Sequence, residues 1–398
     1  MSPERASPLG FIEDELHDLR ARGLWRWPRV LEGAQEPVAR YDGREVINLC
    51  SNNYLGLATH PALKAAALEA VATYGVGSGA VRTIAGNMAI HQQLEAELAT
   101  FKHTEAVLLY QSGFTANAGT VAALLGKEDV VVSDELNHAS IIDGCRLSGA
   151  QKKIFPHKDV AAARALLASS RGARRVLLIT DGVFSMDGDI APLPDLVEAA
   201  EEFGAIMMVD DAHASGVLGR DGRGTVDHFG VHGRVHIQVG TLSKAFAGLG
   251  GYVAGSRALI DYLMCRARPL LFSTSHPPSV AASALAAVRL VQQHPELISR
   301  LWENTTFFKQ GLRRLGFDTG QSETPITPVI VGDERRAMEL SDRLFEEGVF
   351  ALGIAFPTVP RGRARVRTIV TAAHTREHLE RALEAFARAG RAVGVTGT

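Results

Sequence analysis

The sequence predicts an α/β fold in which a large domain, with a mostly parallel sheet between helices, precedes a smaller C-terminal α/β domain. Three observations predict it. The 398 residues, 46% of them hydrophobic, are enough to bury a core and to form two or three structural units. Short Val/Ile-rich runs alternate with helical segments, which is typical of parallel strands covered on both faces. A second set of strands and helices then follows Pro295.

The large domain is predicted from six short apolar runs separated by helical segments. An amphipathic helix over about Leu9–Arg22 and a short strand around Glu45–Leu49 come before them. Each run is too brief and too rich in Val and Ile for a helix, and is therefore predicted to be a strand. The runs are Ala106–Tyr110, Val130–Val132, Val176–Ile179, Ile206–Val209, Val235–Val239 and Tyr252–Ala254.

The smaller domain is predicted from a change of pattern near residue 294. We expect an N-terminal segment over 1–57, a large domain over 58–293 and a small domain over 294–398. The first segment is too short for a core of its own, so we expect it to pack on the small domain or on a partner chain. The C-terminal elements are a helix with Leu301, Phe307 and Leu312, a strand near Thr327–Val331, a helix near Arg336–Glu347, a strand over Ala364–Val370 and a last helix from about Thr375.

Composition excludes several classes of partner. Lys and Arg number 42 against 44 Asp and Glu, giving a net charge of −2, and no long basic run is present. This predicts no nucleic-acid or membrane-surface partner, since both need clustered positive charge. No run approaches the roughly 18 apolar residues of a membrane span, and Met1–Pro8 does not resemble a signal peptide. Cys50, Cys145 and Cys265 fit neither a disulfide framework nor a zinc motif, so we expect a cytoplasmic protein.

Several well-known motifs are absent or out of context. Gly75–Ala80 superficially matches the dinucleotide-binding fingerprint, but it follows a helical segment and not a strand. The sequence has no GxxxxGK[ST] phosphate loop, no HExxH and no GxSxG. Nucleotide hydrolysis, zincin chemistry and α/β-hydrolase chemistry therefore lose their main support.

Polar segments follow five of the predicted strands. Ligands of open α/β sheets bind outside the carboxyl ends of the strands, so these segments form the candidate site. Their joint position at one sheet edge is more specific than any one of them alone. The segments are Ser112–Phe114, Ser133–His138, Asp181–Ser185, Asp210–His213 and Thr241–Lys244.

Each candidate residue also has an ordinary structural explanation. Lys244 lies among small residues that could desolvate its amine, although most lysines are simply solvated. Asp210 follows a buried run and could instead cap a helix. His213 and His138 could be structural or capping groups. Gly113 and the residue after it resemble a helix start whose free N–H groups suit a phosphate, or a plain glycine turn.

The combination of groups is the set that pyridoxal 5'-phosphate requires. This cofactor needs a lysine to bond it covalently, a carboxylate to keep its pyridine nitrogen protonated, and donors for its phenolate and phosphate oxygens. A divalent-metal site for hydrolysis is an alternative, but it leaves without a role both Lys244 and Arg367, which lies in the predicted strand Ala364–Val370. Its ligands would be Asp134, His138, Asp210, Asp211 and His213.

Four motifs carry a resemblance to a known family. They resemble the α-oxoamine synthase family of fold-type I pyridoxal-phosphate enzymes, and the resemblance runs in order from about Leu9 to Ala392. A scaffold that carries the cofactor without catalysis is a further alternative, although every reactive position of the family pattern is filled here. The motifs are Leu136–Ser140, Thr180–Gly188, Asp210–Gly216 and Thr241–Lys244.

The resemblance implies a role for each cofactor-binding residue. Lys244 would bond the cofactor, Asp210 would pair with its pyridine nitrogen and His213 would donate to its phenolic oxygen. Asp211, which points to the other side of an extended chain, is expected to tolerate change better than Asp210. His138 would stack on the ring and polarise the thioester carbonyl. The remaining cofactor contacts would come from Gly113, Phe114, Thr241 and Ser185, with Ser273 and Thr274 reaching the phosphate of the neighbouring subunit in a homodimer.

The resemblance also implies the reaction and its substrate contacts. Arg367 would clamp the amino-acid carboxylate, assisted by Asn52, and Thr358 would line the substrate side. Asn137–Gly144 and Ser78–Arg82 are similar to the glycine C-acetyltransferase branch of the family. We therefore expect condensation of glycine with acetyl-CoA to give 2-amino-3-oxobutyrate. The alternative is the 8-amino-7-oxononanoate synthase branch, in which L-alanine and a pimeloyl thioester condense with decarboxylation, and a chain with both activities is the third option.

Overall fold

The computed structural model describes residues 7–21, 25 and 27–396. The first helix, α1, spans Gly10–Ala21, so Arg22 at the end of the predicted helix lies outside the described residues. The same holds for most of the Met1–Pro8 segment. No described helix is long and apolar enough to cross a membrane.

A seven-stranded sheet forms the centre of the molecule. Its strand order is β3-β9-β8-β7-β6-β4-β5, and β9 alone runs in the direction opposite to the other six strands. The sheet is therefore mostly parallel, as the apolar runs predict. The strands are β3 (Ala106–Tyr110), β4 (Val130–Asp134), β5 (Gln151–Phe155), β6 (Val176–Asp181), β7 (Ile206–Asp210), β8 (Ile237–Thr241) and β9 (Gly251–Gly255).

Helices cover both faces of this sheet. Strands such as β4 and β8 are buried along their whole length, because apolar side chains on both of their faces pack against helices. The helices are α2 (Pro61–Tyr74), α3 (Ala89–Lys102), α4 (Gly113–Leu124), α5 (Ala139–Ser148), α6 (Val160–Ala168), α7 (Leu193–Phe203), α8 (Thr225–His228), α9 (Arg257–Arg266), α10 (Arg268–Leu271) and α11 (Pro278–Gln293). Two 3-10 turns cover Leu57–Thr59 and Arg220–Gly222.

Apart from α1, the described residues outside the central sheet and its helices form two three-stranded sheets and three helices. One sheet has the order β10-β13-β12 and is antiparallel; the other has the order β1-β2-β11, in which β2 from the N-terminal part pairs with β11 from the C-terminal part. The domain boundaries stay a prediction. The elements are β1 (Val38–Tyr41), β2 (Arg44–Asn48), β10 (Ile326–Gly332), β11 (Val349–Phe350), β12 (Leu352–Ile354), β13 (Ala364–Ile369), α12 (Glu296–Arg314), α13 (Glu334–Glu346) and α14 (Arg376–Val393).

The edge strand β5 is missing from the expected elements. Its sequence, Gln151–Phe155, is mostly polar, and only Phe155 is buried. An edge strand contacts the sheet on one side only and often carries charged residues, so its pattern differs from that of the central strands. The apolar-run criterion misses it for this reason.

Candidate active site

The carboxyl ends of the central strands open into a cavity of about 500 Å³, which we call the inner cavity. Asp181 and Asp210 are directly paired in the β6–β7 register, so the two strands end at the same level. The inner cavity is lined by Gly113, Phe114, His138, Ser140, Asp181, Val183, Ser185, Asp210, Ala212, His213, Thr241 and Lys244. The strand-end argument therefore brings eight of its predicted cofactor contacts together; Ser273 and Thr274 lie elsewhere.

Lys244 projects into this cavity from the loop after β8. Burial lowers the pKa of its amine to about 8, against the opposing effect of Asp210 and Asp181. Its Nζ makes no hydrogen bond with the described residues. A desolvated, unpaired amine is the form of lysine that reacts with carbonyl carbon.

Asp210 ends β7 and is 5% exposed. One carboxylate oxygen accepts from the Asn117 side-chain amide at 2.6 Å, and the other accepts from the Ala212 N–H at 2.8 Å. Asn117 also donates to the Ser140 hydroxyl at 3.0 Å. These bonds hold the carboxylate in one orientation on the cavity wall.

Asp181 brings a second carboxyl group into the inner cavity. It accepts from the His138 N–H at 2.9 Å, and its own N–H donates to the Asn137 side-chain oxygen at 2.7 Å. Burial, together with the neighbouring Asp210, raises the pKa of Asp181 well above its usual range. The two carboxyl groups lie side by side at the ends of β6 and β7, and burial beside Asp210 favours the protonated form of Asp181.

The two histidines of the site are both held as neutral rings. His138 precedes α5, and its Nδ1 accepts from the Ser140 N–H at 3.2 Å. His213 Nδ1 lies 2.7 Å from the Tyr54 hydroxyl. Burial lowers the pKa of both imidazoles, that of His213 well below its usual value, with Lys244 adding to the effect in each case.

The N-terminus of α4 also lies on the wall of the inner cavity. Ser112 caps the helix by accepting from the Thr115 N–H at 3.1 Å. The N–H groups of Gly113 and Phe114 have no partner among the described residues. Thr241, whose hydroxyl donates to the Gly250 carbonyl, lies beside Gly113. Free N–H groups at a helix start suit a phosphate.

A larger outer cavity, of about 1820 Å³, adjoins the inner one and shares His138, Ser185, His213 and Lys244 with it. Arg367 lies on its wall, where its Nε donates to the Ser185 carbonyl at 2.6 Å and its Nη2 to the Asn52 side chain at 3.4 Å. Thr358 lines the same cavity. All four predicted substrate residues, Asn52, His138, Thr358 and Arg367, therefore lie on one cavity.

Ser273 and Thr274 line neither cavity. Their carbonyl oxygens accept from the Gln111 side chain at 3.2 and 2.9 Å, and Thr274 bridges to Val81. Within one chain they do not reach the inner cavity. The predicted contact across a subunit boundary stays a prediction.

The alternative metal site does not form. Asp134 binds His157 at 3.0 Å, and Asp211 points away from the cavity into a buried ion pair with Lys102. Only His138, Asp210 and His213 of the five proposed ligands line the inner cavity. Among the described residues, these five do not bring three ligand atoms together.

The residues of the inner cavity fit pyridoxal phosphate. An unpaired amine, a fixed carboxylate and free N–H groups at a helix start occupy separate positions on the wall of one cavity. A small aromatic ring with an aldehyde, a basic ring nitrogen and a phosphate group requires these three partners.

Three residues that support the site were missed as functional residues. Asp181 lies inside a motif, Asn117 lies three residues after Phe114, and Tyr54 lies two residues after Asn52, but their side chains received no role. Only Asp181 carried a usable signal, since it ends the strand next to Asp210. The Asn117–Asp210 and Tyr54–His213 contacts span 93 and 159 residues, and no spacing in the sequence predicts them.

Comparisons with known proteins agree with this geometry. A family model described as aminotransferase class I and II matches residues 44–386. The chain is 64% identical over 386 residues to 8-amino-7-oxononanoate synthase of Symbiobacterium thermophilum, covering 97% of this chain and 98% of that protein. It is 57% identical over 388 residues to the enzyme of the same name from Thermoanaerobacter pseudethanolicus, covering 97% and 98%.

The solved structures that resemble this chain also include pyridoxal-phosphate enzymes. A serine palmitoyltransferase variant from S. paucimobilis, with a bound pyridoxal phosphate–myriocin aldimine, superposes with a TM-score of 0.93 and 32% identity, covering 98% of this chain and 100% of that one. The two sequence relatives carry the name of the alternative branch. The expectation of glycine C-acetyltransferase activity, drawn from Asn137–Gly144 and Ser78–Arg82, is not supported by them.

Proposed function

This chain belongs to the class I and II aminotransferase family and is a pyridoxal-phosphate-dependent α-oxoamine synthase of fold type I, and from that premise we propose that it condenses L-alanine with a pimeloyl thioester. The products are 8-amino-7-oxononanoate, carbon dioxide and the free thiol. The observation that carries the proposal is the 64% identity to an 8-amino-7-oxononanoate synthase over nearly the whole of both chains.

The inner cavity would hold the cofactor. Lys244 would bond it covalently, Asp210 would pair with its ring nitrogen, and the N–H groups of Gly113 and Phe114 would bind its phosphate together with Thr241. His213 would donate to its phenolic oxygen, because a Tyr54 hydroxyl that donates to Nδ1 leaves the ring proton on Nε2. When bound, pyridoxal phosphate withdraws electrons and so stabilises negative charge at the α-carbon of the amino acid.

Arg367 would bind the carboxylate of alanine. Its guanidinium already lies in a fixed orientation, since the Ser185 carbonyl accepts from Nε. Two N–H groups of the planar fork can then meet both carboxylate oxygens. This fixes the direction of the α-carbon–hydrogen bond relative to Lys244, which lines the same cavity.

Lys244 would remove the α-proton. With a pKa near 8, a large fraction of its amine is neutral at mildly alkaline pH and can accept that proton.

His138 would act on the thioester. Because the Nδ1 of His138 accepts from the Ser140 N–H, its ring proton lies on Nε2. His138 lines both cavities, so this Nε2–H can donate to the carbonyl oxygen of a thioester bound where the two cavities meet.

The outer cavity would take the acyl chain, since it adjoins the inner cavity and shares His138 and Lys244 with it. Ser273 and Thr274 would complete the phosphate site of a neighbouring subunit in a homodimer. The variant Thr274→Ala tests this contact between subunits, because the dimer that carries it should retain the cofactor less well.

The experiment compares two substrate pairs on the purified holoenzyme. L-alanine with pimeloyl-CoA should release the thiol and carbon dioxide in equal amounts, with a kcat/KM roughly a hundredfold above that for glycine with acetyl-CoA. Mass spectrometry identifies the product. A higher kcat/KM for glycine with acetyl-CoA, or thiol release without carbon dioxide, would overturn the proposal.

A further inference from the structure

Three metal-binding side chains meet outside both cavities. His103, Asp227 and His232 each offer a ligand atom, and these atoms lie within 4.8 Å of one another. Neither cavity is lined by any of the three. In the part of the chain that the structure describes, this is the only cluster of that kind.

The cluster contains buried polar atoms without partners. The Asp227 side chain is 10% exposed; its Oδ1 lies 3.0 Å from His232 Nε2, while its Oδ2 has no hydrogen-bond partner among the described residues. His232 Nδ1 is likewise buried and unpaired. Buried acceptors of this kind are rare in folded proteins unless something binds them.

The backbone around the cluster is fixed by a neighbouring network. Lys102, next to His103, forms a buried ion pair with Asp211, and Asp211 also accepts from the Thr225 hydroxyl two residues before Asp227. His103 ends α3 with φ 53° and ψ 49°, a left-handed conformation that turns the chain at the helix end. Two of the three ligands are thus attached to a rigid support.

Charges near the cluster are compatible with a cation. Asp227 is the only carboxylate within it. The two cations that act on the cluster are already paired: Arg223 with Asp221 at 2.9 Å, and Lys102 with Asp211 at 2.9 Å. The rings of His103 and His232 lie 5.1 Å apart. In a tetrahedral zinc site, with bonds of about 2.0–2.2 Å, ligand atoms lie roughly 3.4 Å apart, so a modest movement of the exposed His103 closes the set.

We propose that His103, Asp227 and His232 bind a divalent transition-metal ion of the zinc class, with water at the fourth position. Two imidazoles and one carboxylate are a ligand set that zinc uses in proteins. The ion would join the end of α3 to α8 and the loop before β8. Its position, away from Lys244 and Arg367, gives it a stabilising role and no part in the condensation.

The test uses Co²⁺ as a coloured substitute for zinc, added to the tag-free holoenzyme. The background carries Cys265→Ser, because Cys265 is an exposed thiol that could bind the ion itself. Equilibrium dialysis and the visible absorption of bound Co²⁺ give affinity and geometry. We expect one high-affinity ion per chain, and a loss of affinity of at least tenfold in both His103→Ala and His232→Ala.

His228→Ala is the matched control, since His228 is exposed and lies in α8 with Asp227 but outside the cluster. It should bind Co²⁺ within about twofold of the parent. Zn²⁺ should raise the melting temperature of the parent and of His228→Ala, and not that of His103→Ala. Equal Co²⁺ affinity in the parent and His103→Ala, or no binding by the parent, would overturn the proposal.

Discussion

Lys102 and Asp211 form an ion pair in which neither side chain is exposed, with Nζ 2.9 Å from Oδ2. Asp211 also accepts from the backbone and hydroxyl of Thr225. Its neighbour Asp210 faces the inner cavity instead and binds Asn117. Successive side chains of an extended chain point in opposite directions, so two adjacent carboxylates serve separate purposes.

Asp211→Asn is therefore expected to destabilise the fold. It leaves the Lys102 ammonium buried without its counter-charge, which costs about 3–5 kcal/mol in proteins. Urea unfolding of the cofactor-free protein measures this loss of unfolding free energy. The matched control is Glu97→Gln, which removes a carboxylate from the more exposed pair with Arg289 and should cost about 1 kcal/mol or less. A loss below 1 kcal/mol for Asp211→Asn would contradict the prediction.

This prediction differs from the expectation that Asp211 tolerates change better than Asp210. The alternation rule correctly sends Asp211 away from the cavity, but it does not say what lies on the other side. Lys102 is 109 residues from Asp211 in the sequence, and the two side chains meet only because α3 packs on the sheet. The strand-end rule succeeds for Lys244 and Asp210 because it depends on local order alone.

The difference between local patterns and contacts between distant residues also explains which other site residues could be predicted. Glycine turns and polar strand ends are local patterns, so Gly113 and His138 are placed correctly on the cavity. Arg367 and Asn52 meet from positions 315 residues apart, and only the family resemblance placed them together. The choice between substrates depends on the shape of the outer cavity, to which no local pattern corresponds.

His157 should make stability depend on pH. Its burial opposes protonation, but hydrogen bonds to Asp134 and Asp189 outweigh this and raise its pKa to about 9. Because the folded value exceeds that of the unfolded chain, its contribution is complete below about pH 6.5 and is lost as the pH rises through 9. His157→Gln should narrow the difference in unfolding free energy between pH 6.5 and pH 9. A matched change at the exposed His228 should leave that difference intact.

In the cofactor-free protein, the Lys244 amine should have a pKa far below that of an ordinary lysine. Burial lowers its pKa to about 8, while Asp210 favours the charged form. The rate of acetylation of Lys244, followed by mass spectrometry, should have its midpoint near pH 8. Asp210→Asn should move the midpoint lower, because the charge that favours the ammonium is removed. A midpoint above pH 10 in the wild type would contradict the assignment.

The sign of the corresponding stability effect is opposite to that of His157. A lysine whose folded pKa is depressed releases its proton on folding between about pH 8 and pH 10.5. The cofactor-free wild type should therefore gain stability relative to Lys244→Met as the pH rises through that interval. Parallel curves for the two proteins would show that the amine is solvated.

Asp210 should control removal of the α-proton. Asp210→Asn should slow exchange of the alanine α-hydrogen in deuterated buffer by roughly two orders of magnitude, since a neutral amide does not hold the ring nitrogen protonated. Asn117→Ala removes the 2.6 Å bond that orients the carboxylate and should cost about tenfold. Proton exchange measured by NMR separates these effects from thioester binding. An unchanged rate in Asp210→Asn would remove Asp210 from this role.

Arg367→Lys should raise the KM for alanine at least about tenfold and leave the KM for the pimeloyl thioester nearly unchanged. A lysine keeps the charge but loses both the fork and the Nε–H that donates to Ser185, so the carboxylate is held in more than one orientation. Because that orientation also aligns the α-hydrogen with Lys244, kcat should fall as well. The measurement is a pair of saturation curves, each varying one substrate. Equal weakening for both substrates, or an effect confined to the thioester, would place Arg367 on the acyl side of the outer cavity and remove it from the amino-acid site.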